Sequence, residues 1–328
     1  MLKGRQRGVI AGIGSALVDI LVYEDDEFLK KTNAAKGGMT LVDQAFIEKT
    51  LALTSANPVI VPGGSACNTA VGIGKLGGKA QFIGKCGRDD MAALFEEDLI
   101  KSNVQPTLFK TASPTGRVLS IITPDAQRSM FTFLGASSEM TMEEVTGNHY
   151  SNVMIVHLEG YLLFNKELVY AALHSAQKAG ARVSLDLASY TVVEESKDIL
   201  DDIVDRFVDI LIANEDEARA FTGCTDEKKA IGSLSQRADI AVLKVGERGS
   251  YVAGQEKIIK IEPMSGQGPV VDTTGAGDLW ASGFLYGIAN GYPLDICGNI
   301  GSACGYEVCQ VIGADIPDEG WERIKRLI

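Results

Sequence analysis

Apolar and polar positions along the chain follow two rhythms that alternate. Short β-branched runs at 9–13, 80–83, 153–157, 182–186, 209–213 and 240–245 read as buried strands. Between them, helix-period stretches cover 66–75, 89–102, 166–179, 198–206, 215–221, 276–289 and 294–310. Strands separated by helices of this length need crossover connections, so the pattern predicts an α/β domain around a mainly parallel sheet.

Two regions break the rhythm. Residues 16–60 hold the strand-like run LVDILVY and a glycine-bearing polar turn at Lys36-Gly37-Gly38. Residues 107–135 hold two alternating segments, RVLSIITP and RSMFTFLG, joined by the turn Pro124-Asp125-Ala126-Gln127. Both read as antiparallel strands inserted into the α/β body. A small sheet over the carboxyl ends of parallel strands would form a lid. With no internal repeat and no low-complexity linker, the expectation is a single domain spanning 1–328, with the lid segments inside it.

Composition narrows the class. The 328 residues include 31 basic and 43 acidic side chains, a formal charge of −12, with 45% apolar and 23% charged positions. Such a chain can bury a sizeable core. An acidic balance without a basic block argues against a nucleic-acid partner. The sequence has no apolar run long enough for a membrane span. Lys3, Arg5 and Arg7 precede an apolar run over 9–22, which superficially resembles a secretion signal. Asp19 interrupts that run, Gly12 and Gly14 break it, and Glu24-Asp25-Asp26 follow, so it reads as the first strands. Cys67, Cys86, Cys224, Cys297, Cys304 and Cys309 form no C-x-x-C pair and read as reduced thiols of a cytoplasmic protein. His149, His157 and His174 form no H-E-x-x-H motif and read as structural.

The 36 glycines are the unusual count, and phosphate chemistry is one use for them. Gly12-Ile13-Gly14 lacks the third glycine of a dinucleotide fingerprint. Gly72-Ile73-Gly74-Lys75-Leu76-Gly77 matches G-x-G-x-x-G but falls at the end of a helix, where packing and capping explain it better. No Walker A loop is present. The informative loop is Asp272-Thr273-Thr274-Gly275-Ala276-Gly277-Asp278, a small-residue turn running into a helix. Free N–H groups at Gly275, Ala276 and Gly277, with the positive helix end, favour an anion. Asp278 beside that anion suits a general base acting on a hydroxyl that attacks a phosphoryl group. Taken alone, the loop equally suits an Asp278 that merely complements the helix dipole.

At this loop the chain strongly resembles the ribokinase or PfkB family of small-molecule kinases, whose C-terminal signature is D-T-x-G-A-G-D. The family's N-terminal glycine pair followed by asparagine resembles Pro62-Gly63-Gly64-Ser65-Ala66-Cys67-Asn68. Its N-x-x-E motif is matched by Asn214-Glu215-Asp216-Glu217, and its G-x-x-G nucleotide loop by Lys244-Val245-Gly246-Glu247-Arg248-Gly249. Within the family, GSALVDI, VPGGSACNTA, TPDAQRSMFTFLGAS and LEGYLL resemble the adenosine-kinase-like branch.

The resemblance implies a ribokinase-like three-layer α/β/α fold with an inserted antiparallel β lid. It also implies ATP-dependent phosphorylation of a primary hydroxyl on a ribose-containing acceptor, adenosine or another nucleoside. Asp19 and Asn68 would hold the ribose hydroxyls, with Gly63 and Gly64 letting the sugar approach the backbone. Asp278 would be the base, Gly275, Ala276 and Gly277 the anion hole, and Arg128 a lid group reaching the phosphoryl. Asn214 and Glu217 would organise Mg²⁺ through water, while Lys244, Gly246, Gly249 and Ser302 would line the ATP site. Asp272 would stand near a monovalent cation such as K⁺.

Tyr161 and Phe133 could stack on a purine, although the alternation of Phe131 and Phe133 equally fits the packed face of a lid strand. Ser15, and Asp186-Leu187-Ala188-Ser189 in place of N-L-S-A, depart from the branch pattern around the base pocket. The rival acceptors are ribose, fructose and 2-keto-3-deoxygluconate, and a rival of another class is a non-catalytic nucleotide-binding regulator. The expected partners are MgATP and a small acceptor, with no membrane, in a monomer or homodimer.

Overall fold

The computed structural model describes residues 8–125, 127–264, 268 and 270–328; Lys3, Arg5, Arg7 and Ala126 lie outside the described residues. The chain opens with β1 (Val9–Ile13), β2 (Leu17–Tyr23), α1 (Asp26–Thr32), β3 (Met39–Leu41), α2 (Gln44–Leu51) and β4 (Val59–Gly63). It continues through α3 (Ser65–Lys75), β5 (Ala80–Cys86), α4 (Asp90–Lys101), β6 (Val104–Lys110), β7 (Gly116–Ile122) and β8 (Arg128–Phe133). After short 3-10 turns come β9 (Val153–Glu159), a further 3-10 turn at Gly160–Phe164, α5 (Lys166–Ala179), β10 (Arg182–Asp186), α6 (Tyr190–Glu195) and α7 (Lys197–Phe207). Next are β11 (Ile210–Asn214), α8 (Glu215–Thr222), α9 (Glu227–Leu234), β12 (Ile240–Lys244), β13 (Ser250–Gly254) and β14 (Lys257–Ile261). The chain closes with α10 (Ala276–Ala289), α11 (Leu294–Val308) and α12 (Asp318–Lys325).

The large sheet runs β14-β13-β12-β11-β10-β9-β1-β5-β6 and is parallel from β12 to β6. The hairpin of β13 and β14 extends one edge antiparallel. Because helices cover both faces, the central strands are mostly apolar, as in the buried Ile210, Leu211, Ile212 and Ala213 of β11. On one face, Leu173 of α5, Leu200 and Ile203 of α7 and Ile231 of α9 build a core. On the other, Ile73 of α3, Phe95 of α4 and Phe284 of α10 build a second. The three layers of α/β/α are thus two separate burials on one sheet.

The second sheet, β3-β8-β7-β2-β4, covers the carboxyl ends of the parallel strands and has a core of its own. Phe28, Leu29 and Ile47 of α1 and α2 pack there against Ile20, Leu119 and Phe131. The expected antiparallel insert is a mixed sheet: β2–β4 and β7–β8 are antiparallel, but β2–β7 and β3–β8 are parallel. The second lid segment also starts later than 107. Residues 104–110 form β6, which returns from α4 to lie parallel beside β5 on the edge of the large sheet. The two helices inside 16–60 carry only 7 and 8 residues, too few to display a helical period in sequence.

Glycine also sets the approach of α10 to α11. A Cβ on Gly283 would stand 2.7 Å from the carbonyl oxygen of Ile300, and one on Gly287 would stand 2.9 Å from Cys297 Cα. The two backbones are therefore closer than any larger residue allows. Replacing Gly283 by leucine should push the helices apart and cost roughly 1–3 kcal/mol of stability. Urea unfolding would measure this, and an unchanged midpoint would show that the contact does not hold α11 in place.

Candidate active site

A cavity of about 720 Å³ lies between the carboxyl edge of the large sheet and the inner face of the lid. Its floor gathers Asp19, Asn68, Glu159, Asp186, Asn214, Glu217, Lys244 and Asp278, together with the turn from Thr273 to Gly277. Its roof is largely apolar, with Leu17, Met39, Leu41, Val118, Met130 and Leu134 facing inward.

Asp278 occupies the first turn of α10, behind Gly275 at the N-cap with φ 70°. Its carboxylate is held by α3: Ser65 Oγ donates to Oδ1 at 2.7 Å and Asn68 Nδ2 to Oδ2 at 2.9 Å. Thr69 Oγ1 donates to the Asp278 carbonyl at 3.1 Å. Burial pushes this carboxyl above its ordinary range, the two side-chain hydrogen bonds pull it down, Asp186 raises it and Lys244 lowers it. A carboxylate held by another helix and facing a cavity is not simply decorating its own helix dipole.

Asp19 projects from β2 next to Gly63 of the neighbouring β4, where a Cβ would stand 2.7–2.9 Å from the Asp19 carboxylate. Gly64 follows at φ 97° and packs on the carbonyl of Ser15. Burial raises the Asp19 carboxyl to about 6, although the Arg128 guanidinium lowers it and the charges of Asp278 and Asp272 add to the rise. Asn68, expected beside Asp19, lines the same cavity but gives its amide hydrogen to Asp278. One side chain thereby lines the cavity and holds the Asp278 carboxylate.

Arg128 reaches down from β8 and donates from Nη1 to Thr274 Oγ1 at 2.6 Å. Thr274 in turn donates to Asp272 Oδ1 from its hydroxyl at 2.8 Å and its N–H at 2.9 Å. Gly313 N–H donates to Asp272 Oδ2 at 2.9 Å. Asp272 is therefore turned toward backbone and hydroxyl donors. It closes the loop ahead of α10.

At the far end, Asn214 and Glu217 form a reciprocal cap on α8. Asn214 Oδ1 accepts from Glu217 N at 2.9 Å, while the Asn214 backbone and side-chain N–H groups donate to the Glu217 carboxylate at 2.8 and 2.6 Å. Glu217 is buried, and desolvation with the neighbouring Asp186 charge raises it to about 7. Lys244 donates to Asp186 Oδ2 at 2.8 Å.

Several expected residues do not line this cavity. Phe133 and Phe131 point to the opposite face of the lid and pack with its helices, Phe131 lying 4.7 Å from Phe46 between ring centroids. The strand's period of two gives the cavity Met130, Thr132 and Leu134 instead. Gly246 and Gly249 turn the chain from β12 into β13 outside the cavity wall, with Gly249 seated on the Ile261 carbonyl. Ser302 is also outside the wall; its hydroxyl accepts from Met264 N–H and donates to the Glu262 carbonyl. Tyr161 does line the cavity, its hydroxyl pushed up to about 12 mainly by burial.

The sequence reading gave no role to Glu159, Asp186 or Ser65. Glu159 accepts from the N–H groups of Ser15 and Ala66, each at 2.9 Å, and burial raises it to about 7. It thereby ties β9 to the start of α3. An acidic residue closing the apolar run VMIVHLE was the available signal. The structural reading of the histidines agrees with their settings. His157 is buried against Ser184 and held down at about 4, while His149 and His174 pack on Phe109 and Phe207. All six cysteines are free. Among the described residues, no helix is long and apolar enough to cross a membrane.

Comparison with known proteins agrees with this geometry. The nucleoside kinase of Methanocaldococcus jannaschii is 28% identical over 267 residues, covering 80% of this chain and 83% of that protein. The 5-dehydro-2-deoxygluconokinase of Bacillus subtilis strain 168 is 28% identical over 255 residues, covering 74% and 78%. The crystal structure of adenosine kinase from Sinorhizobium meliloti superposes with a TM-score of 0.90 at 30% identity, covering 98% of this chain and all of that one. Residues 17–320 match the pfkB family carbohydrate kinases. With a ribokinase-like fold and that match across nearly its whole length, the chain belongs to the PfkB family of kinases that phosphorylate an alcohol group of a nucleoside or sugar.

Proposed function

We propose that the acceptor is a nucleoside, adenosine first, and that its primary hydroxyl receives the γ-phosphoryl group of ATP. The observation that carries this reading is the contrast between the polar floor at Asp19 and the apolar roof of Leu17, Val118, Met130 and Leu134. A nucleoside has the same two-sided character, a hydroxylated ribose and a flat, weakly polar base. A free sugar would turn hydroxyls toward the apolar part of that roof, at a cost of roughly 1–3 kcal/mol per unpaired group. A sugar acceptor keeps one point in its favour, since the B. subtilis gluconokinase and the archaeal nucleoside kinase are equally identical at 28%.

In this reading Asp19 accepts hydrogen bonds from the vicinal ribose hydroxyls. Asp278 takes the proton of the primary hydroxyl as its oxygen bonds to the γ-phosphorus. The bond to the bridging oxygen breaks and ADP leaves with the electron pair. The N–H groups from Gly275 to Gly277 and the Arg128 guanidinium meet the charge on the moving group. Lid closure excludes water, which would otherwise take the phosphoryl.

Kinases of this family use ATP and typically Mg²⁺. The donors present suit that ion: Glu217 offers buried carboxylate oxygens at the cavity wall, hard ligands whose raised protonation a dication would relieve. Glu217 and Asn214 would hold it through water, and it would supply charge neutralisation at the phosphates. A non-catalytic regulator would have no use for a base whose carboxylate is held by two side chains of another helix.

Three outcomes test this. Asp278→Asn should lower kcat by about 10²–10⁴-fold while ATP affinity by calorimetry stays nearly unchanged. Equal turnover by that variant would remove Asp278 from the role of base. Because Asp278 must be ionised and burial holds its carboxyl above the ordinary carboxylate range, kcat/KM should fall as pH decreases, along a limb displaced upward from that of an exposed aspartate. In a panel of adenosine, inosine, ribose, fructose and 2-keto-3-deoxygluconate, the nucleosides should be phosphorylated and Asp19→Ala should chiefly weaken acceptor binding. Turnover confined to the free sugars would sink the nucleoside reading.

A further inference from the structure

The carboxyl ends of β10, β11 and β12 carry a buried ion pair that the steps above do not require. Asp186 opposes Ile212 across β10–β11, and Asn214 opposes Lys244 across β11–β12. With a period of two, Asp186 and Lys244 leave the same face of the sheet on either side of β11. Lys244 reaches across to donate to Asp186 Oδ2 at 2.8 Å, with side-chain exposures of only 14% and 6%. Asp186 Oδ1 accepts from Ala188 N–H at 3.0 Å, which fixes the carboxylate that faces the lysine.

The other side of the ammonium meets α10. A Cβ on Gly277 would stand 2.9 Å from Lys244 Nζ, so the glycine leaves room for a cation at the first turn of the helix. Cations are favoured at the opposite end of a helix, and a buried ammonium is costly without a partner. Its location makes sense as a charge kept ready for an incoming anion. Asp278 and Glu217 also attract this ammonium. A buried lysine without a counter-ion would turn to one of them, and a base paired with an ammonium is a poorer proton acceptor.

We propose that Asp186 is a positioning residue that holds the Lys244 ammonium at the N-terminal turn of α10 for the phosphoryl group and keeps it off Asp278. Lys244 meets the phosphate charge; Asp186 acts only through Lys244. This inference rests on the ATP-dependent reading above.

Steady-state kinetics of Asp186→Asn, Lys244→Met and the double variant test it. Asp186→Asn should lower kcat about tenfold or more while KM for ATP and for the acceptor stays within about threefold. Lys244→Met should lower kcat and raise KM for ATP. The double variant should have the kcat of Lys244→Met alone, because Asp186 has nothing left to position. The proposal is overturned by a kcat within about twofold of the unaltered protein in Asp186→Asn, or by a further tenfold loss when that change is added to Lys244→Met. Should Asp186→Asn alone fail to fold, Lys244→Met against the double variant still decides, since neither carries the ammonium. ADP release by the unaltered protein decides the ATP-dependent reading. The ratios among variants, with whichever acceptor or water takes the phosphoryl, decide this one, so the two failures look different.

Discussion

The hydrogen bonds from α3 to Asp278 are the constraint on which the rest of the site depends. An ionised carboxylate out of water is costly unless its lone pairs are satisfied. Ser65 and Asn68 satisfy them from a helix that enters the chain some two hundred residues earlier. Those same residues follow the glycine pair of which Gly63 packs against Asp19 and Gly64 against the Ser15 carbonyl. Asp278, Asp19 and the turn before α10 are therefore fixed to one another through α3. Glu159 anchors that helix in turn by accepting from Ala66 N–H, so a buried acid at the end of β9 ties the start of α3 to the large sheet.

The cavity holds more negative charge than positive. Asp19, Glu159, Glu167, Asp186, Glu217 and Asp278 line it against Lys244, Arg128 and Lys166. Burial and mutual repulsion raise Asp19 to about 6 and Glu159 and Glu217 to about 7. This sits oddly with a polyanionic donor until the groups are separated in space. The positive features collect at α10, where its free N–H groups, Lys244 and the lid's Arg128 converge on one turn. The carboxylates stand around that turn, available to hydroxyl protons or a hard cation. The formal charge of −12 says nothing about this local order.

Legibility in the sequence followed the range of the interactions involved. β10, α5 and α10 run between the residues their periodicity indicated, because a buried strand or a fourteen-residue helix repeats its pattern several times. The helices of the lid were too short to do so, and β6 could be assigned to its sheet only through the crossover from α4. Asp278, Asp19 and Glu217 stood out because their motifs have a fixed local order. The side to which Phe133 turns was not legible, because the face of a lid strand depends on what packs opposite it.

By itself, the sequence determined the layered α/β body, the glycine turn before α10 and the family to which both belong. Each is written in neighbouring residues, through hydrophobic period or through a turn that only small residues can make. The tertiary structure alone decided which charges meet. Asp186 with Lys244, Glu159 with Ala66 and Arg128 with Thr274 are separated by 58, 93 and 146 positions. No local pattern records such pairs, because an ion pair or hydrogen bond across a sheet depends on strand order and register, which form only when the whole chain is packed.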